Sequence, residues 1–147
     1  MIPLPFKIIR IPGTPVAKAR PRVTKSGKAY TPAKTRGWER MAAQAIALTW
    51  GATPPVDRPV NVTLTAVYPR PKRRPPNVDP ETWKAGGRVW RPSRPDLDNI
   101  IKAVLDAAQL AGVIKDDSLV VEIAARKVYA STLDDGPMVL LGFSEVE

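Results

Sequence analysis

Apolar residues recur along the chain in two rhythms, the period of two that marks a strand and the period near 3.6 that marks a helix. Phe6 to Ile11 alternates, with Phe6 and Ile8 on one face and Ile9 and Ile11 on the other, and predicts a strand that stops at Pro12-Gly13. From Arg36 to Trp50 the prolines vanish. Trp38, Met41, Ala45 and Leu48 then follow the spacing i, i+3, i+7, i+10 with Ala42 beside them, which predicts an amphipathic helix ended by Gly51. Val60, Val62, Leu64, Ala66 and Tyr68 fall on one face of the next segment and Asn61, Thr63 and Thr65 on the other, the clearest strand pattern in the chain. Asn99 to Ala111 predicts a second helix with Ile100, Ile101, Val104, Leu105 and Ala108 on its apolar face and Gly112 just past its end. Leu119 to Ala130 and Met138 to Phe143 read as two further strands, separated by an Asp134-Asp135-Gly136-Pro137 turn able to join them as a hairpin. This order predicts one compact α+β domain over residues 1–147, a mixed sheet of about four strands with two main helices packed on it.

Two stretches escape both rhythms. Residues 14–35 hold Lys18, Arg20, Arg22, Lys25, Lys28 and Lys34 among Pro15, Pro21, Ser26-Gly27 and Pro32, and predict a basic loop or flexible hairpin. Residues 69–95 hold seven prolines and eight basic residues against only Asp79 and Glu81, and predict a long irregular excursion, mobile in isolation.

Both stretches lie in the same half of an electrically polarised chain. The net charge of +9 divides into +15 over residues 1–95 and −6 over residues 96–147. A basic first part points to a polyanionic partner, most often nucleic acid. The 147 residues include no histidine and no cysteine, which excludes zinc fingers, thiol nucleophiles, Ser-His-Asp triads and imidazole acid–base chemistry. Catalysis then rests on carboxylates, lysine, arginine, hydroxyls or an oxygen-ligated metal. Neither end reads as a targeting signal, and no apolar run approaches the roughly 18 residues of a membrane span. A soluble, cytoplasmic protein is expected.

The acidic part has one conspicuous constellation. Arg94-Pro95-Asp96-Leu97-Asp98-Asn99 opens the second helix, with Asp98 expected at its N-cap. Pro95 is expected to hold the preceding chain extended, so that Asp96 and Asp98 point the same way. Two converging carboxylates repel unless a cation lies between them, and the cation suited to oxygen ligands is Mg²⁺ or Mn²⁺. Lys102 lies one helical turn after Asp98. Lys115-Asp116-Asp117-Ser118 offers a third carboxylate, but reaches the first two only if the chain after the helix returns alongside it, because the helix is about 20 Å long. On these spacings alone, a capping aspartate, a turn and a surface ion pair explain the same residues. The basic setting favours the metal, since clustered acids oppose phosphate binding unless they hold the divalent ion that phosphodiester hydrolysis uses.

The run RPDLDNIIKAVLDA followed by GVIKDDSLVVE resembles the RusA-type Holliday-junction resolvases, whose pattern is Asp-Leu-Asp-Asn, a lysine within a Lys-Ala-x-x-Asp-Ala helix, and an Asp-Asp opening a strand. IPGTPVAKARPRVTKSGKAYTP resembles the basic loop of phage and prophage members, so the likeness spans nearly the whole chain. Residues 69–95 depart from it, being longer and more basic than the matching connection in compact relatives. The resemblance implies a homodimer that binds four-way DNA junctions and makes paired symmetric cuts with Mg²⁺, Mn²⁺ being a plausible substitute. It places metal-binding catalytic aspartates at Asp96, Asp98 and Asp117 and a catalytic lysine at Lys102, with Asp116 as the competing choice in the doublet and Asp106 in a structural or supporting role.

Candidate contacts to the DNA backbone are Lys18, Arg20, Arg22, Lys25 and Lys28, with Arg73, Arg74, Arg88 and Arg91 as a second set. Trp83 and Trp90 are expected to fix the excursion to the body rather than to stack on unpaired bases. Two other readings fit the same residues: a non-catalytic nucleic-acid-binding module, and a metal nuclease for other branched or linear DNA.

Overall fold

In the computed structural model, residues 3–5, 7–19, 22–30 and 32–146 are described. The elements are β1 (Ile8–Pro12), β2 (Arg22–Val23), β3 (Ala29–Tyr30), α1 (Ala33–Trp50), β4 (Val60–Tyr68), α2 (Pro80–Lys84), β5 (Val89–Trp90), α3 (Leu97–Leu110), a single 3-10 turn (Asp117–Leu119), β6 (Val120–Tyr129) and β7 (Met138–Glu145). The class is α+β. Five strands form a mixed sheet in the order β1-β7-β4-β6-β5, and β2 with β3 makes a separate two-stranded ribbon.

β4 explains the topology. Its alternation continues on both sides of the strand, and it pairs antiparallel with β7 and parallel with β6. Contrary to the hairpin that its Asp-Asp-Gly-Pro chemistry allows, the turn at 134–137 does not pair β6 with β7. The chain between β6 and β7 crosses β4 instead, because both neighbouring positions of that strand satisfy backbone hydrogen bonds and bury apolar side chains.

One face of the sheet carries the core. Ile9, Ile11, Val60, Val62, Leu64, Ala66, Val139, Leu141 and Phe143 are buried there against α1 and α3. In α3 the buried residues Ile100, Ala103, Val104, Ala107 and Ala108 follow the i, i+3, i+4, i+7, i+8 pattern of a helix on a sheet. In α1 the buried stripe is Thr35, Trp38, Ala42, Ile46 and Trp50. Leu48, expected on that stripe, is 85% exposed. Each residue turns a helix by about 100°, so a stripe centred between Ala42 and Ile46 leaves Leu48 on the opposite side. Phe6 lies outside the described residues, whereas Ile8 is exposed and Ile9 and Ile11 are buried, as the alternation requires.

The 69–95 excursion is not structureless. It contains α2 and β5, and β5 adds an antiparallel edge to β6. Among the described residues no helix is long and apolar enough to cross a membrane.

Candidate active site and nucleic-acid interface

α3 begins at Leu97, two residues earlier than its apolar period indicates, so Asp96 rather than Asp98 occupies the N-cap position. Asp96 has extended backbone (φ −69°, ψ 141°), yet its carboxylate makes no cap hydrogen bond. Asp98 lies in the first turn, where the helix dipole favours negative charge. Because Asp98 is already helical, the alternation of an extended segment does not set its direction. Both carboxylates are exposed, and among the described residues neither has a hydrogen-bond or ion-pair partner. Asp98, Lys102 and Asp106 then follow at i, i+4 and i+8, a stripe about 12 Å long on one face.

The chain does return alongside α3, but the doublet sits at the start of that return. After Gly112, whose positive φ of 77° turns the chain out of the helix, Val113 and Ile114 are buried and Asp116 and Asp117 follow. Asp116 accepts a 2.8 Å bond from the Ser118 N–H, capping the 3-10 turn, and this bond holds its carboxyl below the ordinary value. Asp117 is pushed up by its hydrogen bond with Asp116, by partial desolvation and by the nearby charges of Asp116 and Asp106. The near neighbours of the doublet are thus at the middle of α3. The far end of β6 reaches the α3 entrance: Lys127 Nζ donates to the carbonyls of Ser93 (2.6 Å) and Pro95 (2.7 Å), fixing the segment that delivers Asp96. Lys127 is absent from the site residues that the motifs indicate; its one signal in the sequence is a lysine among Ile123, Ala125 and Tyr129 on the inward side of a strand.

The cations divide into committed and uncommitted groups. Lys18 Nζ lies 2.8 Å from Glu39 Oε1 and 3.0 Å from Asp106 Oδ2, joining α1 to α3. Burial disfavours its charge, but the bonds to Glu39 and Asp106 outweigh this and raise its pKa. Its backbone N–H donates to Asn99 O (2.9 Å), which places the first basic loop on the first turn of α3. Arg22, Lys25 and Lys28 are exposed on the β2–β3 ribbon, and Arg20 lies outside the described residues. In the second set Arg73 is exposed and Arg74 donates to Val78 O. Arg88 makes two bonds to Asp134 (3.0 and 2.8 Å). The Arg91 guanidinium stacks 3.9 Å from the Tyr68 ring centroid, and its Nε and one terminal nitrogen are buried with no partner among the described residues.

Among the described residues no three Asp, Glu, His or Cys side chains are gathered closely enough to enclose a metal. Mg²⁺ does not require such a cage. It commonly takes one or two carboxylates and completes its shell with water and substrate phosphate oxygens. Asp96 and Asp98, exposed, unpartnered and offering only hard oxygen donors, fit that mode.

Comparison with known proteins adds a family to this geometry. Residues 12–134 match the family model described as Endodeoxyribonuclease RusA. The chain is 33% identical over 122 residues to an uncharacterised protein of Bacillus subtilis (strain 168) named YqaN, covering 80% of this chain and 84% of that one. It is 26% identical over 103 residues to the crossover junction endodeoxyribonuclease RusA of Aquifex aeolicus (strain VF5), covering 70% of this chain and 64% of the relative.

Proposed function

The chain belongs to the RusA endodeoxyribonuclease family, and from that premise we propose that it is a Mg²⁺-dependent endonuclease that resolves four-way DNA junctions as a homodimer, by paired symmetric incisions. The observation that carries the reading is the pair Asp96 and Asp98, left without protein partners at the entrance of α3, one turn from Lys102 and beside a basic surface. In this reading Asp96 and Asp98 would hold the metal, and Asp117, which lies beside Asp106 rather than in a closed cage with them, would be the third ligand that the resemblance implies. Asp117 is favoured over Asp116 because the Asp116 carboxylate is engaged in capping the 3-10 turn. A bound divalent ion supplies Lewis-acid polarisation of the phosphate and an acidified water, the functions that a chain without histidine lacks. Lys102 donates to a phosphate oxygen as charge builds there. Lys127 keeps the 93–95 segment in place, so Asp96 is presented from a fixed backbone.

Arg22, Lys25, Lys28 and Arg73 carry the DNA-backbone contacts, joined by Arg20 and Arg74, whereas Arg91, stacked on Tyr68 with two of its guanidinium nitrogens buried, packs the excursion rather than facing DNA. Lys18 and Arg88 add less to the field because each is neutralised by carboxylates.

The test is a panel of four-way junctions, flaps and linear duplex, each with and without Mg²⁺. Symmetric paired cuts in junctions alone, dependent on the metal, are expected, with a solution mass twice 16.1 kDa. Asp98→Asn and Asp117→Asn are expected to retain junction binding while cleavage falls at least 100-fold. Equal cutting of linear duplex points instead to a less selective nuclease, and binding without any nicking to a non-catalytic module.

A further inference from the structure

The two tryptophans of the 69–95 excursion have opposite fates. Trp83 is half-buried, with the Arg70 guanidinium 3.6 Å from its ring centroid and donating to Trp83 O, Gly87 O and Ala130 O. It fixes the segment to the body. Trp90 is 66% exposed although it belongs to a paired strand. A large aromatic ring left in water on a rigid strand, rather than folded into the core, is a candidate contact surface.

Trp90 lines a cavity of about 490 Å³ together with Pro76, Val78, Pro92 and Tyr129. That volume falls among pockets that enclose a small organic molecule, roughly 300–1,000 Å³, and suits one nucleoside rather than a duplex. The wall is mostly apolar, while Asn77 and Ser93 bring groups able to pair with the polar edge of a base. Asp79 also lines the cavity, but its carboxylate accepts from the N–H groups of Glu81 and Thr82, so it caps α2. Eight Lys and Arg residues between 69 and 95 favour an anionic ligand over a neutral one.

The cavity is preformed. Besides the Arg70 fork, Arg88 grips Asp134, and Thr132 N–H donates to Gly86 O (2.8 Å). Gly86 has φ +80°, and a Cβ there would lie 2.7 Å from Thr132 Oγ1, so the backbones meet only because the residue is glycine. Ser93 lines the cavity and its carbonyl is held by Lys127, three residues before Asp96. The cavity and the carboxylate pair are therefore successive parts of one fixed segment.

We propose that this cavity takes a single unstacked DNA base, with Trp90 as its stacking platform, next to the phosphate presented to Asp96 and Asp98. The proposal rests on the nuclease reading for the nature of the ligand, and its test needs no cleavage. Binding is measured by fluorescence anisotropy in EDTA, using the full chain and two bulged duplexes. One carries a single unpaired thymidine and the other an abasic spacer at the same position. The wild type is expected to prefer the thymidine probe by about tenfold, the scale of one base–aromatic stack. Trp90→Ala is expected to abolish that preference while leaving the abasic affinity within twofold, and Trp90→Phe to keep most of it. Equal affinity of the wild type for the two probes overturns the proposal. So does a Trp90→Ala loss that is the same on both, which marks a general surface contact. The nuclease reading fails separately, if the wild type cuts no DNA in Mg²⁺.

Discussion

Lys18 shows how a residue's neighbours, rather than its type, decide what its charge does. It sits in a basic loop and belongs by composition with Arg22, Lys25 and Lys28. Its ammonium nevertheless lies between Glu39 and Asp106, with its side chain 23% exposed. Removing it leaves two carboxylates facing each other without a cation. Lys18→Met is expected to destabilise the fold by about 1–3 kcal/mol in urea denaturation, below the 3–5 of a fully buried pair because Asp106 is partly solvated. It is expected to leave the salt dependence of DNA binding unchanged. A variant of wild-type stability that loses junction affinity assigns Lys18 to the DNA instead. Nothing local in the sequence announces this clip, since its partners are 21 and 88 positions away. The stripe of Asp98, Lys102 and Asp106 is legible, because helical spacing alone places the three on one face. The relation of Asp117 to Asp106 is not legible, because it depends on how the chain turns after Gly112.

Elements were legible where a single burial face dictates the pattern. β4 has the bounds its alternation predicts, and α3 differs at its ends, where Leu97 and Asp98 join ahead of the periodic apolar stripe, Asp96 takes the N-cap and the helix stops at Leu110. Strand order was hidden because pairing is decided between segments, and a turn sequence at 134–137 cannot reveal that β4 already lies between β6 and β7. The 69–95 excursion was misleading for a related reason: its prolines exclude long elements but do not exclude anchoring. Arg88 and Asp134 provide one anchor with a defined pH response. The bond to Arg88 holds the Asp134 carboxyl well below the ordinary range, overcoming the opposing effect of its burial, and the Ser131 N–H contributes in the same direction. A carboxylate depressed in the folded state adds stability that is fully present above its unfolded value near 4 and is lost as pH falls further. Anchoring is therefore expected to be constant from about pH 8 to pH 5 and to weaken below about pH 4. Asp134→Asn, which mimics the protonated group, moves that loss to neutral pH. Trypsin is expected to cleave within residues 69–95 about tenfold faster in this variant at pH 7.5, and unchanged cleavage shows that the remaining anchors suffice.

For the whole molecule, the polarised charge is the feature that the sequence displays most directly and the fold turns into a spatial arrangement. The basic half is divided between the projecting β2–β3 ribbon and the anchored excursion, and the α3 carboxylates lie beside the loop that joins the ribbon to the body. Long-range attraction depends on unpaired charge, so the ribbon and not Lys18 is expected to govern the salt response. Each phosphate neutralised on a duplex contributes about 0.9 to the slope of log affinity against log salt. Replacing Arg22, Lys25 and Lys28 together with glutamine is expected to lower that slope by about 2–3. All three side chains are exposed on a ribbon outside the main sheet, so thermal stability is expected to stay near wild type. Turnover with saturating junction is expected to be preserved if, as proposed, the ribbon only gathers DNA and the α3 carboxylates act on it. A slope unchanged by the triple substitution places the DNA elsewhere, and the excursion cations from Arg73 onward then carry the backbone contacts.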